Sequence, residues 1–362
     1  MSRYFIYAVL LNMLINTIVF VPKLLMEERF DGAIAAMMFA VPVSSFLAYA
    51  FSRAMSRFPG QGLPEILQGR LPEAIRRSIL LFFGILWFIA GLLILVAFAI
   101  ISERFINPEI PKWMFLLCSS AVVCWGATRR TTSIMSMLEV GIVLSLPLVA
   151  LITFQALSDE MLDWDAIAAM TDYAFRLPSF TAMAATTYMF TGYLNLVILN
   201  RHLEGTRFSH RWLIPVVGIV VFLTTFFIPI GIHGTQAVDD YIYVWISTAD
   251  SLRMKFGFVE RVLFMFLFLY IGLALLFVTL VWNIGLGLVR SAFDGRLRSE
   301  RTRAVFDGST VVAIGVATIG FGLYTSEKEL IQAVTAWFQF RVPFELLLVA
   351  TIVYFAWRKK HA

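Results

Sequence analysis

Residues 184–199, AATTYMFTGYLNLVIL, and residues 4–22, YFIYAVLLNMLINTIVFVP, decide the architecture. Each is an apolar run with polar groups set into its middle. The first holds Thr186, Thr187, Tyr188, Thr191, Gly192, Tyr193 and Asn195, and the second holds Asn12, Asn16 and Thr17. Neither alternates polar with apolar residues, so neither reads as a strand of a membrane barrel. Both read as helices that cross a membrane and are interrupted on the way.

The rest of the chain agrees. Of its 362 residues, 60% are hydrophobic and 15% charged, and Phe alone accounts for 34. Soluble chains run about 45–50% apolar and about 25% charged. A disordered chain is apolar-poor, and a soluble enzyme needs far more surface charge. A polytopic all-α membrane protein remains. At about 20 residues per crossing, the length holds about ten transmembrane helices. They fall near 4–26, 32–53, 78–102, 112–128, 134–157, 179–200, 212–232, 257–288, 304–324 and 341–357. The first segment has no small-residue cleavage site and is expected to stay as a span. Cys118 and Cys124 lie six apart in one run, where a helix does not bring them together, and read as buried free thiols.

Arginine and lysine set the expected orientation. With both termini inside, 19 basic residues face the cytoplasm and 10 face outward, which the positive-inside rule reads as N-in, C-in. The inner loop 54–77 is broken by Pro and Gly into short amphipathic pieces expected to lie along the membrane surface. The aromatics of the outer loop 233–256, among them Tyr241, Tyr243 and Trp245, suit an interfacial helix.

The two interrupted stretches lie five spans apart. An odd-numbered repeat reverses its membrane orientation on the second pass. One transmembrane domain, 1–362, is therefore expected to comprise two inverted repeats, 1–157 and 179–357, with broken helices 1 and 6. In such a break, freed N–H groups and a half-helix dipole can hold a carboxylate. The competing account is that these Asn and Thr residues make ordinary interhelical hydrogen bonds. Glu139, Glu260 and Glu345 all read as near the interfaces, leaving no acid at mid-membrane depth. No phosphate-binding loop, HExxH or CxxC occurs, and His202, His210, His233 and His361 sit at span ends or in loops. No cofactor, metal site, nucleic-acid contact or enzymatic activity is expected.

Several short motifs, in order, resemble a known family. Phe20-Val21-Pro22 ends span 1. Arg57-Phe58-Pro59-Gly60-Gln61-Gly62-Leu63-Pro64-Glu65 follows span 2. Phe190-Thr191-Gly192-Tyr193 lies in span 6, and Phe258-Val259-Glu260-Arg261 opens span 8. With the ten-span count, these resemble the B subunit of spore germination nutrient receptors, a branch of the amino acid–polyamine–organocation transporter superfamily. The chain departs from that pattern at Leu194, where an acid is common. It departs again at Asn16 and Thr17, where small glycines are expected, and at Pro72 and Glu73, near an expected second glycine.

The resemblance implies a five-plus-five inverted-repeat fold in the inner membrane of a spore-forming bacterium. It implies a small nutrient ligand of amino-acid type, A- and C-type partner subunits, and signalling rather than efficient transport. The implied ligand-binding residues are Asn16, Thr17, Ile18, Thr187, Phe190, Thr191, Gly192, Tyr193 and Asn195. Backbone groups near Thr17 and Ile18 would meet the ligand carboxylate, and Phe190 and Tyr193 would shape or gate the pocket. The rival expectations are a stand-alone amino acid transporter and a lipid-facing structural subunit without a ligand.

Overall fold

Inside a bilayer every backbone N–H and C=O needs a partner from the chain itself, which leaves helices as the natural solution for long apolar runs. The computed structural model describes residues 3–203, 210–254, 260–295, 297 and 299–361, and among them there is no strand. Arg207, Arg296 and Arg298, and Phe258 and Val259 of the span 8 motif, lie outside the described residues.

The chain opens with α1 (Arg3–Ile18) and α2 (Val21–Glu27), followed by α3 (Ala33–Met55), the short α4 (Leu63–Leu67) and the long α5 (Glu73–Phe105). Next come α6 (Lys112–Ala127), α7 (Thr131–Leu157) and α8 (Trp164–Ala169). After α9 (Phe180–Tyr188), a 3-10 passage over Thr191–Asn195 runs into α10 (Leu196–Leu199). The chain ends with α11 (Leu213–His233), α12 (Val244–Ser251), α13 (Val262–Ala292), α14 (Glu300–Tyr324) and α15 (Glu327–His361).

Seven of these helices are long and apolar enough to cross a membrane. The count rises to nine if each of two bent pairs is one span: α1 with α2, bent by 52°, and α9 with Thr191–His202, bent by 55°. The segment expected as the fourth span is α6, apolar but only 16 residues long. The outer helices carry a broad apolar surface. Leu144, Phe154 and Val316 are each more than 60% exposed, a surface that suits lipid and not water. The chain is an integral membrane protein.

The centre is built on α13, which packs against α5, α6, α7 and α1. Its tightest neighbour is α5, where Gly84 faces Gly285. A methyl group added at Gly285 would lie 3.0 Å from the Gly84 carbonyl oxygen. Lipid gives helices no hydrophobic reason to associate, so close backbone approach through small residues supplies the packing.

Both long loops depart from the sequence expectation. Leu63, Pro64, Ile66 and Leu67 of α4 are all buried, so this piece turns its apolar side chains into the bundle and not toward lipid. The reason is satisfaction of polar groups. Asn200 Nδ2 donates to the Phe58 and Gln61 carbonyls at 2.7 Å each, and Arg201 NH2 donates to Glu65 Oε1 at 2.7 Å. Likewise Trp245 of α12 is buried, its ring stacked on Phe266. Cys118 and Cys124 are free, but Cys118 is exposed rather than buried.

Candidate functional site

The chain bends at both stretches that the sequence singles out, and the details differ between them. In the first, α1 continues through Asn16 and Thr17 and ends at Ile18. The new helix starts at Val21 with Pro22 in its first turn. Proline fits there because the first N–H groups of a helix lack partners anyway. Asn16 and Thr17 themselves bond back within α1, to the carbonyls of Asn12 and Met13. The Asn16 Oδ1 is buried without a partner.

The second bend is a tightened passage. Met189 N–H donates to Thr186 O and Phe190 N–H to Thr187 O, three-residue closures that use up the N–H groups at the bend. The loose ends are carbonyls. Asn12 Nδ2 from α1 reaches Tyr188 O at 2.6 Å and Met189 O at 3.0 Å, and Thr191 Oγ1 donates to Tyr188 O at 2.8 Å. The two interrupted helices therefore meet, with Asn12 of the first satisfying the break in the second. Gly192 allows the approach. A methyl group there would stand 2.2 Å from the Ala8 carbonyl oxygen.

A cavity of about 70 Å³ opens beside this bend, between α5, α13 and α15. Its polar lining comes from Asn12, Thr191, Asn195, Trp87, Arg341 and Glu345. Trp87 Nε1 donates to Asn195 Oδ1 at 2.9 Å, holding the amide in place. Tyr188 and Phe344 supply apolar walls.

The pair Arg341 and Glu345 corrects the sequence reading, which put Glu345 near the outer interface. The helix carrying it begins at Glu327, fourteen residues before the apolar segment assigned to it, so Glu345 lies near the middle of α15. Both residues are 5% exposed and bonded to each other. Tyr193 donates its phenol to Glu345 Oε1 at 2.6 Å. Arg341 NH2 donates to Ala184 O and Thr187 Oγ1, both at 2.7 Å, and its guanidinium stands 5.0 Å from the centre of the Tyr188 ring. A buried charge is tolerable only when paired and hydrogen-bonded, and here nearly every oxygen and nitrogen has a partner. The exception is Arg341 Nε, buried and unbonded.

The structure thus divides the expected site residues. Thr191 and Asn195 line the cavity, while Thr187 and Tyr193 hold its charged pair. Gly192 is a packing residue against α1. Phe190 turns away, its ring against Gly218 and Phe222 of α11. Thr17 and Ile18 line a separate cavity of about 60 Å³ with Trp245 and Phe266. Sequence reasoning passed over Arg341 and Trp87, named Glu345 only as an interface residue, and mentioned Asn12 without assigning it a role. Asn12 could have been found, because it lies one helical turn before Asn16 on the same face. Among the described residues no group of three His, Cys, Asp or Glu gathers as a metal would need.

Compared with models of known protein families and with curated proteins, the chain matches none.

Proposed function

We propose that this chain is a small-solute receptor subunit of the spore germination B type, in a bacterial inner membrane with both termini cytoplasmic. Its ligand is of amino-acid kind, and A- and C-type subunits are its partners. The observation that carries the reading is the cavity beside the bend at Tyr188–Thr191, enclosed by helices far apart in sequence and lined by a few convergent polar groups. Binding there would favour one of two helix arrangements over the other, and only a difference in affinity between them can transmit a signal. The motif resemblance supplies the family and the nutrient class.

The five-plus-five architecture has support from packing. Let the ten apolar segments be α1–α2, α3, α5, α6, α7, α9–α10, α11, α13, α14 and α15. Four of the five segment pairs that lie five apart touch: first with sixth, second with seventh, third with eighth, fourth with ninth, while the fifth and tenth do not pack together among the described residues. Several other contacts come in pairs that interchange when five is added to each number. The third packs on the fourth as the eighth packs on the ninth. The second packs on the sixth as the seventh packs on the first. The fifth packs on the eighth as the tenth packs on the third, and the second on the tenth as the seventh on the fifth. A two-fold relation between the halves would produce this pattern.

The test is Thr191→Leu in the native host. Loss of nutrient-triggered germination at normal protein level is the expected result, and an unchanged dose response would overturn the reading. The same paired packing also favours a second reading, a stand-alone amino acid transporter, because related halves are the usual basis of alternating access. Concentrative uptake of labelled amino acids by proteoliposomes holding only this chain would select the transporter. Dependence on co-expressed partner subunits would select the receptor.

A further inference from the structure

The geometry points to Arg341 and Glu345 as the charge partners of a zwitterionic ligand, with the ligand carboxylate on Arg341 and its ammonium group on Glu345. The inference rests on the reading of the cavity as a solute site. It names the chemistry that the site selects.

Three observations carry it. First, ionisable groups at this depth are costly and are kept where they meet a substrate or one another. The pair sits in the cavity wall and not in solid packing. Second, the Met189 and Phe190 N–H groups at the bend beside this cavity are spent on 3-10 closures, and Thr17 and Ile18, where the carboxylate was expected, line a different cavity. The donor that is free is Arg341 Nε, buried and unbonded in a residue that lines the cavity. A guanidinium N–H makes a strong charge-assisted hydrogen bond to a carboxylate. Arg341 already spends NH1 on Glu345 and NH2 on Ala184 and Thr187. Third, the pair as a whole carries no net charge. An anionic or cationic solute would leave one charge without compensation in a low-dielectric wall, whereas a zwitterion adds one charge of each sign and keeps the balance. Arg341 and Glu345 are one turn apart on α15, so both charges face the cavity from one side. The ligand inserts beside the pair, and Tyr193 keeps its bond to Glu345 Oε1.

The experiment uses the full-length chain in lipid nanodiscs and measures saturable binding of each of the twenty labelled proteinogenic amino acids. For those that bind, the N-acetyl and methyl-ester analogues each delete one ligand charge. Both analogues are expected to compete at least tenfold more weakly. The double variant Arg341→Met, Glu345→Leu, which removes the pair without stranding a charge, is expected to lose binding at least tenfold. Analogues that compete as well as the parent, or a folded double variant with unchanged affinity, would sink the charge assignment and leave the solute site standing. Absence of saturable binding for all twenty, both in the unmodified chain alone and in the chain co-expressed with its partner subunits, would remove both.

Discussion

The side-chain amide of Asn12 donates to the backbone oxygen of Tyr188 at 2.6 Å across 176 residues of sequence. It also reaches Met189 O. One side chain of the first interrupted helix thereby closes the hydrogen-bond deficit of the second. Asn12→Leu removes the side-chain donor from Met189 O and leaves Tyr188 O with Thr191 Oγ1 as its one side-chain donor, and a buried group left unmatched costs about 1–3 kcal/mol. A clear fall in the melting temperature of the purified protein is expected. Asn12→Gln, which keeps the donor, should recover part of it.

Gly192 predicts a steric effect of a different kind. Its neighbour is the backbone of α1, at Ala8 and Val9, which cannot move aside as a side chain can. Gly192→Ala is expected to abolish accumulation of folded protein in detergent extracts, read by fluorescence-detected size exclusion. Gly272→Ala in α13 is the control, since a methyl group there meets nothing within 4 Å. It should behave as the parent or slightly better, because alanine favours helix over glycine.

The buried pair predicts non-additivity. Arg341→Met alone strands Glu345, and Glu345→Leu alone strands Arg341. Breaking one side of a buried pair costs about 3–5 kcal/mol, whereas exchanging both sides for apolar groups is often neutral. Thermal melts of the two single variants should fall well below the double. Equal melts for all three would show that water already reaches the pair.

Asn200 predicts a change in local motion. It holds the carbonyls of Phe58 and Gln61, and Arg201 holds Glu65 just beyond. Asn200→Ala is expected to raise amide hydrogen exchange across 58–68 by at least tenfold while leaving α13 protected. Uniform exchange throughout the molecule would instead mean global destabilisation.

The proposed orientation has its own measurement. In a chain carrying Cys118→Ala and Cys124→Ala, Ser158→Cys and Glu73→Cys lie at opposite ends of the bundle and on exposed surface. A membrane-impermeant maleimide added to intact cells should label Ser158→Cys and spare Glu73→Cys. The reverse pattern would invert the assignment.

Membrane residence was legible because composition alone excludes a water-facing surface. The second bend was legible because Thr, Gly and Asn cluster in the middle of an otherwise apolar run. The position of the first bend was misread by a few residues. Asn16 and Thr17 drew attention as polar groups, yet they bond within their own helix, and the restart is set by Pro22. The depth of Glu345 was hidden for a different reason. An apolar window finds the lipid-facing part of a helix, and α15 extends fourteen residues beyond that window through Lys328 and Gln332. Partnerships such as Tyr193 with Glu345 depend on which helices pack together, and no local pattern encodes that. Phe190 adjoins the bend in sequence, but a tight turn rotates neighbouring residues to opposite sides, so adjacency gave no guide to its direction.

The C-terminal helix has a mechanical consequence. Its N-terminal end holds Arg104 through Glu327, and its C-terminal end receives Arg57 at Ala356 O and gives Lys359 to Arg57 O. Pro343 stands between the two charged residues at its middle and leaves the Gln339 carbonyl without its usual helical donor. A rod gripped at both rims and weakened at its centre turns a small sideways push into opposite tilts of its two halves. Whatever occupies the space beside residues 341–345 therefore has a lever onto the Arg57 loop.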